Sequence, residues 1–241
     1  MKEAAAPATP VGGGVPDAPS PGAPPAAPDT PSAAPTIAAA ASGTAPVRSA
    51  VIERTTKETA VVCALTLEGS GRTSVATGVP FFDHMLDAMG RHGLFDLSVG
   101  AKGDLEVDAH HTVEDVGITL GAALDRCLGG REGIARYGDA LVPMDEALVL
   151  AAVDISGRGQ LHWDVELPIE FIGSFDTSLF KEFLIALASN AGLTLHVRSL
   201  AGENAHHIIE AAAKACARAL SVAVALDERV GDRVPSTKGT L

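Results

Sequence analysis

The chain writes one short pattern twice. Ala109-His110-His111-Thr112-Val113-Glu114 and Ala205-His206-His207-Ile208-Ile209-Glu210 both read Ala-His-His-x-x-Glu, and 96 residues separate His110 from His206. The flanks repeat as well. "PFFDHMLDAMGRHGLFDLSVG" precedes the first motif and "SLFKEFLIALASNAGLTLHVR" the second. In each flank, apolar residues spaced i, i+3, i+4, i+7 predict a helix: Phe82, Met85, Leu86, Met89 and Phe180, Phe183, Leu184, Leu187. Gly93 and Gly192 are expected to stop those helices. The alternating runs "LFDLSV" and "LTLHV" then predict strands. A further helix follows each motif, ending at Gly129 in the first half and near Asp227 in the second. Ahead of each unit lie two strand candidates, "TAVVCALTLEG" and "TSVATG" in the first half, "EALVLAAVDISGRG" and "QLHWDVELP" in the second. Two such units predict an α+β fold of internally duplicated half-domains, about 47–140 and 141–241, with helices covering one face of each sheet.

Composition sets the remaining bounds. Residues 1–46 are almost only Ala, Pro, Gly, Ser and Thr. Such a stretch cannot bury enough apolar surface to offset its ordering entropy, so it is read as a disordered tail with some extended polyproline character. No apolar run follows Lys2, and the first arginine is Arg48, which argues against a signal or transit peptide. Residues 47–241 suffice for one large domain. The net charge of −12 argues against a nucleic-acid partner, and no apolar run approaches a membrane span. Cys63, Cys127 and Cys216 are scattered and odd in number, which suits a reduced, cytoplasmic compartment.

Each helical residue advances about 100°. With His110 at zero, His111 lies near 100° and Glu114 near 40°, between the two imidazoles. Three side chains so splayed suit two ions better than one, one histidine toward each. His206, His207 and Glu210 repeat the layout. Imidazole plus carboxylate favours Mn²⁺, Fe²⁺, Zn²⁺ or Co²⁺. Aligning the repeats sets Phe82-Asp83-His84-Met85-Leu86 against Phe180-Lys181-Glu182-Phe183-Leu184, so His84 and Glu182 join the ligand candidates. By pseudo-symmetry, one ion is expected to take His84 and Glu114 and the other Glu182 and Glu210, each with one histidine from each pair. The spacing leaves open which histidine goes to which ion. Four protein ligands on an octahedral ion leave positions for substrate or water. His92, His162 and His196 are read as structural or surface residues.

At these residues the chain resembles the imidazoleglycerol-phosphate dehydratase family of histidine biosynthesis. The resemblance covers about residues 48–241. It rests on "RTTKET", "PFFDHMLDAMGRHGLFDL", "DAHHTVEDVGITLG", "RYGDALVPMDEAL", "VDISGRG", "FDTSLFKEFLIALASNAGLTLHV", "GENAHHIIEAAAKACARAL" and "VPSTKGTL". It implies a fold like ribosomal protein S5 domain 2, a metal-dependent carbon–oxygen lyase, and two Mn²⁺ ions per active site. It also implies sites built at subunit interfaces, and trimers assembled into twenty-four subunits. Two departures stand out. Ala88 occupies a position where the family usually has Gln, and Glu182 one where some members carry His.

The reaction so implied removes water from imidazole glycerol phosphate and yields imidazole acetol phosphate. The carbon that loses its hydrogen has no carbonyl neighbour to acidify it, but cations on the ring nitrogens stabilise the imidazolate. The hydroxyl beside the ring can then leave and a base can take the proton from the next carbon. The resemblance points to Glu58 in "TKET" as that base, with Glu210 a second candidate. It points to Arg136, Arg158, Lys214, Ser236 and Lys238 for substrate phosphate. Lys214 also stands on the Glu210 face by spacing, at i+4, and Arg158 lies between glycines that let backbone approach a ligand. Arg218 continues the Lys214 face and is read as a surface charge. Two rivals use the same ligand types: a di-metal hydrolase of phosphate esters or amides, which would release free phosphate, and a non-catalytic metal store, which would leave Glu58 and the C-terminal basic residues without a role.

Overall fold

The computed structural model describes residues 47–241, so the proposed tail lies outside the described residues. The first half runs β1 (Ser49–Thr55), β2 (Thr59–Thr66), β3 (Thr73–Ala76), α1 (Pro80–Gly93), β4 (Asp96–Gly103) and α2 (His110–Leu128). The second runs β5 (Tyr137–Met144), β6 (Ala147–Asp154), β7 (Gln160–Asp164), the short pair β8 (Phe171–Ile172) and β9 (Phe175–Asp176), α3 (Ser178–Ala191), β10 (Thr194–Ala201) and α4 (Ala205–Val224). Each half makes a four-stranded sheet, ordered β1-β2-β4-β3 and β5-β6-β10-β7. In both, one edge strand is parallel to its neighbour (β3 to β4, β7 to β10) and the other pairings are antiparallel. The same order and the same directions, strand for strand, are the duplication expected from the sequence.

Several details differ from that expectation. β1 and β5 have no counterpart among the predicted strands. β1 alternates buried or half-buried positions with exposed Ser49, Val51, Glu53 and Thr55, and as an edge strand it carries too little apolar residue to announce itself. β5 runs across the expected 140/141 division, so the seam between halves falls within 129–136. The β8–β9 hairpin has no first-half equivalent. Helix α4 ends at Val224, short of Asp227. Gly93 does not stop α1. The helix runs through it, and Leu94 takes the left-handed cap at φ 58°. Gly93 is needed for another reason: a Cβ there would meet the Phe95 ring at 2.5 Å and the Ala217 carbonyl oxygen at 3.2 Å. Gly192 does cap α3, at φ 67°.

The periodic residues do what their spacing demands. Phe82, Met85, Leu86, Phe180, Phe183 and Leu184 are all fully buried, each contributing about 1.5–3 kcal/mol of apolar transfer. α2 covers β1, β2 and β4, and α4 covers β5 and β6. The other faces of these helices cross between halves: α2 packs most heavily on α3, and α1 on α4. Glycines and alanines permit the close approach. A Cβ on Gly117 would sit 2.7 Å from the Phe183 carbonyl oxygen, and one on Gly121 2.8 Å from that of Leu187. Ala211, Ala212, Ala213, Ala215, Ala217, Ala219 and Ala223 are all fully buried on α4.

At Gly138 on β5, a Cβ would fall 2.1 Å from the Ala219 carbonyl oxygen and 2.7 Å from the Ala223 nitrogen, both backbone atoms of α4. Gly138→Ala should therefore destabilise the protein by about 2–3 kcal/mol, because overpacking against backbone outweighs the sub-kilocalorie gain in strand propensity; chemical denaturation reads this as a lower midpoint. Buried Asp96 accepts from the Ser70 and Arg72 amides at 2.8 and 3.0 Å and from the Arg72 guanidinium at 2.5 Å. Burial pushes its carboxyl up, but these donors outweigh burial and hold it at about 2. Its folded pKa is thus depressed, so its stabilisation is complete above about pH 4 and fades as pH falls through 2. Asp96→Asn should flatten that part of the acid unfolding curve and cost on the order of 2 kcal/mol at neutral pH.

Candidate metal centre

Cross-half packing brings three of the eight expected ligands together. His84 on α1 and His206 and Glu210 on α4 place one ligand atom each within 4.8 Å of one another, the only such group of His, Cys, Asp or Glu among the described residues. His84 Nε2 and His206 Nε2 stand 3.3 and 3.2 Å from Glu210 Oε2. The other carboxylate oxygen, Oε1, is 2.7 Å from Lys214 Nζ, which also reaches Met144 Sδ at 3.4 Å. Asn204 caps α4, its side chain accepting from the His206 amide at 2.9 Å, which fixes where the motif starts. Glu210 is buried, while both imidazoles are partly open to solvent. Burial pushes the Glu210 carboxyl up, yet Lys214 and His84 outweigh burial and hold it below the ordinary range. Two imidazole nitrogens and a carboxylate, with an open side, fit a borderline divalent cation.

Within one chain this grouping differs from the expected division of ligands. Within the chain His84 meets Glu210, not Glu114, because α1 packs on α4 of the other half rather than on α2 of its own. The second motif is a looser counterpart. His110 Nε2 lies 3.9 Å from Glu114 Oε2, and α2, which carries both, packs on α3, which carries the half-buried Glu182. Glu182 itself makes no hydrogen bond or ion pair among the described residues.

The second histidine of each pair turns elsewhere. His111 Nδ1 is 3.0 Å from Asp104 Oδ2 and 3.2 Å from Oδ1. His207 Nδ1 is 2.7 Å from Glu146 Oε2, and its Nε2 is 3.7 Å from Asp145 Oδ2. Both imidazoles are pushed up by these carboxylates, against a smaller effect of burial; Glu58 adds to the field at His111. The Glu146 carboxyl falls to about 2, chiefly through His207. Glu58, exposed in the β1–β2 turn, has no side-chain partner among the described residues.

The expected phosphate residues divide into two places. Arg136, at φ 72°, donates to Asp154 at 2.8 Å and to the Pro235 carbonyl oxygen at 2.8 Å. Gly157, beside Arg158, abuts Leu241, where a Cβ would come within 2.5 Å of the terminal carbon. The Lys238 amide donates to Ser236 Oγ at 3.2 Å. Arg136, Arg158, Ser236 and Lys238 thus lie around the C-terminal segment, at the Asp154 end of β6. Lys214 and the His84–His206–Glu210 group lie toward the opposite end, by Met144 and Glu146, about 23 Å away along a strand rising ~3.3 Å per residue.

Sequence reasoning passed over three features. Asp104 and Glu146 carry no motif; Glu146 is 61 residues from the histidine it holds. His92, read as structural or surface, lies two turns beyond His84 on α1. Burial lowers it most, then Lys214 and Arg218, and with Arg218, Asp139 and Ser221 it lines a cavity of about 380 Å³. Its place on the His84 helix was the available signal. His162 and His196 stack on the outer face of the second sheet, ring centroids 4.2 Å apart, as surface residues.

A duplicated α+β protein whose repeated helices meet in a histidine–carboxylate cluster defines a narrow class. The family model for imidazoleglycerol-phosphate dehydratase matches residues 77–220. The chain is 59% identical over 194 residues to an imidazoleglycerol-phosphate dehydratase of Moorella thermoacetica, covering 80% of this chain and 98% of that one. It is 57% identical over 195 residues to that of Azorhizobium caulinodans, covering 81% and 99%. The crystal structure of the Pyrococcus furiosus enzyme, solved in complex with (S)-C348, superposes with a TM-score of 0.69 at 42% identity, covering 79% of this chain and all of that one. The Staphylococcus aureus N315 enzyme gives 0.67 at 35% identity, covering 74% and all of that chain. The chain belongs to the imidazoleglycerol-phosphate dehydratase family, and is a lyase.

Proposed function

We propose that the chain dehydrates imidazole glycerol phosphate to imidazole acetol phosphate in histidine biosynthesis, using two Mn²⁺ ions per active site. The observation that carries the metal part is the convergence of His84, His206 and Glu210 within 4.8 Å. One ion would be held by those three groups. The other would be held by His110, Glu114 and Glu182, with His111 and His207 completing the two sets. Such cations, when bound, supply the Lewis acidity that makes an imidazole ring a stable anion.

The chain's own residues do the rest. Glu58 is the base that takes the proton from the carbon next to the departing hydroxyl; an unpartnered carboxylate in a turn is free to approach a substrate. Glu210, already shared among two imidazoles and Lys214, is better suited to holding a cation than to moving a proton. Lys214 stands at the cluster, beside the ring-binding end of the site. Arg136, Arg158, Ser236 and Lys238 form the phosphate clamp through charge-assisted hydrogen bonds. A three-carbon side chain cannot span about 23 Å. The clamp and the cluster that serve one substrate therefore come from different protomers. His111 and His207 turn from the glutamates of their own motifs to Asp104 and Glu146, which leaves each motif short of ligands within one chain and supports the same reading, as does the assembly of trimers into twenty-four subunits implied by the family. No helix among the described residues is long and apolar enough to cross a membrane, and the net charge of −12 speaks against a nucleic-acid partner; a cytoplasmic enzyme of biosynthesis is the reading that goes with the family.

The deciding experiment strips the purified protein with a chelator and reloads it with Mn²⁺. Ketone formation from imidazole glycerol phosphate should vanish and return; full activity in the stripped protein would defeat the metal reading, and release of inorganic phosphate would favour a hydrolase. Glu58→Gln should lower kcat about 10²–10⁴-fold with little change in KM, the usual range for losing a general base; near-normal turnover would remove Glu58 from the mechanism.

A further inference from the structure

The two halves treat their histidine pairs alike, by different means. In each motif the first histidine turns Nε2 to the glutamate four residues on: His206 to Glu210 at 3.2 Å and His110 to Glu114 at 3.9 Å. In each, the second histidine turns Nδ1 away, to a carboxylate from another element. His111 meets Asp104, seven residues earlier on the connection between β4 and α2. His207 meets Glu146, in the tight turn between β5 and β6. These two carboxylates do not correspond in the repeat. The hairpin equivalent to that of Glu146 is the β1–β2 turn, and the carboxylate there, that of Glu58, has no hydrogen-bond or ion-pair partner among the described residues. The ancestral repeat therefore does not explain the shared contact. Two unrelated positions have arrived at one arrangement, while the equivalent hairpin carboxylate in the first half has been left free.

An Nδ1–H donated to a carboxylate fixes the tautomer that leaves Nε2 with its lone pair, and fixes the ring plane as well. We infer that Asp104 and Glu146 are positioning residues that hold His111 and His207 with Nε2 left to serve as a metal ligand, each serving one of the two cation sites; the Nε2 of His207 stands 3.7 Å from Asp145 Oδ2, beside a second carboxylate. The inference rests on the metal reading above. It also assigns unlike roles to the two hairpin glutamates: Glu146 orients a ligand, Glu58 stays available to substrate.

Glu146 has a second task, since its Oε1 accepts from the Glu203 and Asn204 amides at 3.2 and 2.9 Å, so Glu146→Ala can loosen the start of α4. Among the described residues the Asp104 carboxylate makes no hydrogen bond or ion pair except with His111, which makes Asp104→Ala the cleaner test. The full chain is stripped and titrated with Mn²⁺, free ion being followed by its electron paramagnetic resonance signal, and melting is recorded for each variant. Wild type should bind two ions per chain. Asp104→Ala and Glu146→Ala should each weaken one of the two by about 10–100-fold and leave the other, and saturating Mn²⁺ should restore most of kcat. Asp104→Asn and Glu146→Gln keep an acceptor oxygen and should recover most of the affinity; variants as weak as the alanine ones would overturn the hydrogen-bond account. His111→Ala and His207→Ala are the control arms. If they lose a site while Asp104→Ala binds like wild type, the positioning role is wrong and the metal reading stands. If they too bind like wild type, the metal reading itself fails.

Discussion

The structure depends on helices being shared between halves. Each sheet buries one face under its own helices, but those helices have a second apolar face, and neither half can cover it. α1 lies against α4 and α2 against α3, so each half completes the core of the other. The contact is close because the sequence withholds side chains where backbones meet, at Gly93, Gly117 and Gly121 and along the alanines of α4. His84 and Glu210 are 126 residues apart in the chain and reach each other only through this exchange.

The same packing explains the electrostatics of the cluster. A buried carboxylate in contact with nothing charged would be protonated. Glu210 is held ionised because Lys214 approaches one of its oxygens and two imidazoles the other. Burial of a single paired charge is tolerable where the remaining lone pairs are satisfied. What results is a negative group, partly sheltered from water, with two nitrogen donors at its open side. For the cation proposed above, such a group is better ordered in advance than three exposed residues of the same kinds would be.

Much of the fold was legible because its signals are local. Helical spacing located α1 and α3 through the residues that now fill the core, and the repeated motif located α2 and α4. Alternation located β4 and β10, and the strand candidates ahead of each unit met β2, β3, β6 and β7. Edge strands β1 and β5 escaped. The reading of Gly93 as a stop mistook a residue needed for helix–helix approach for one needed for backbone freedom; Leu94 supplies the left-handed turn. Legibility of the site followed the same rule. His-His-x-x-Glu is a contiguous signal and was found. Asp104 and Glu146 meet their histidines through tertiary contacts, and isolated carboxylates in an acidic chain give no pattern to notice. Within the chain His84 meets Glu210 rather than Glu114, because pseudo-symmetry constrains which positions are equivalent, not which equivalent helices touch.

By itself the sequence determined that the chain is a duplicated α+β protein, that its halves carry matching His-His-x-x-Glu motifs on helix starts, and which family those motifs resemble. Periodicity and repetition encode these things residue by residue, so no distant contact is needed to read them. Tertiary structure alone decided that His84 meets Glu210 across the halves and that the second histidines bond to Asp104 and Glu146. It also set the basic C-terminal group a strand's length from the His84–His206–Glu210 group. These are consequences of which helix faces can approach most closely, a property of packed surfaces that one-dimensional spacing does not contain.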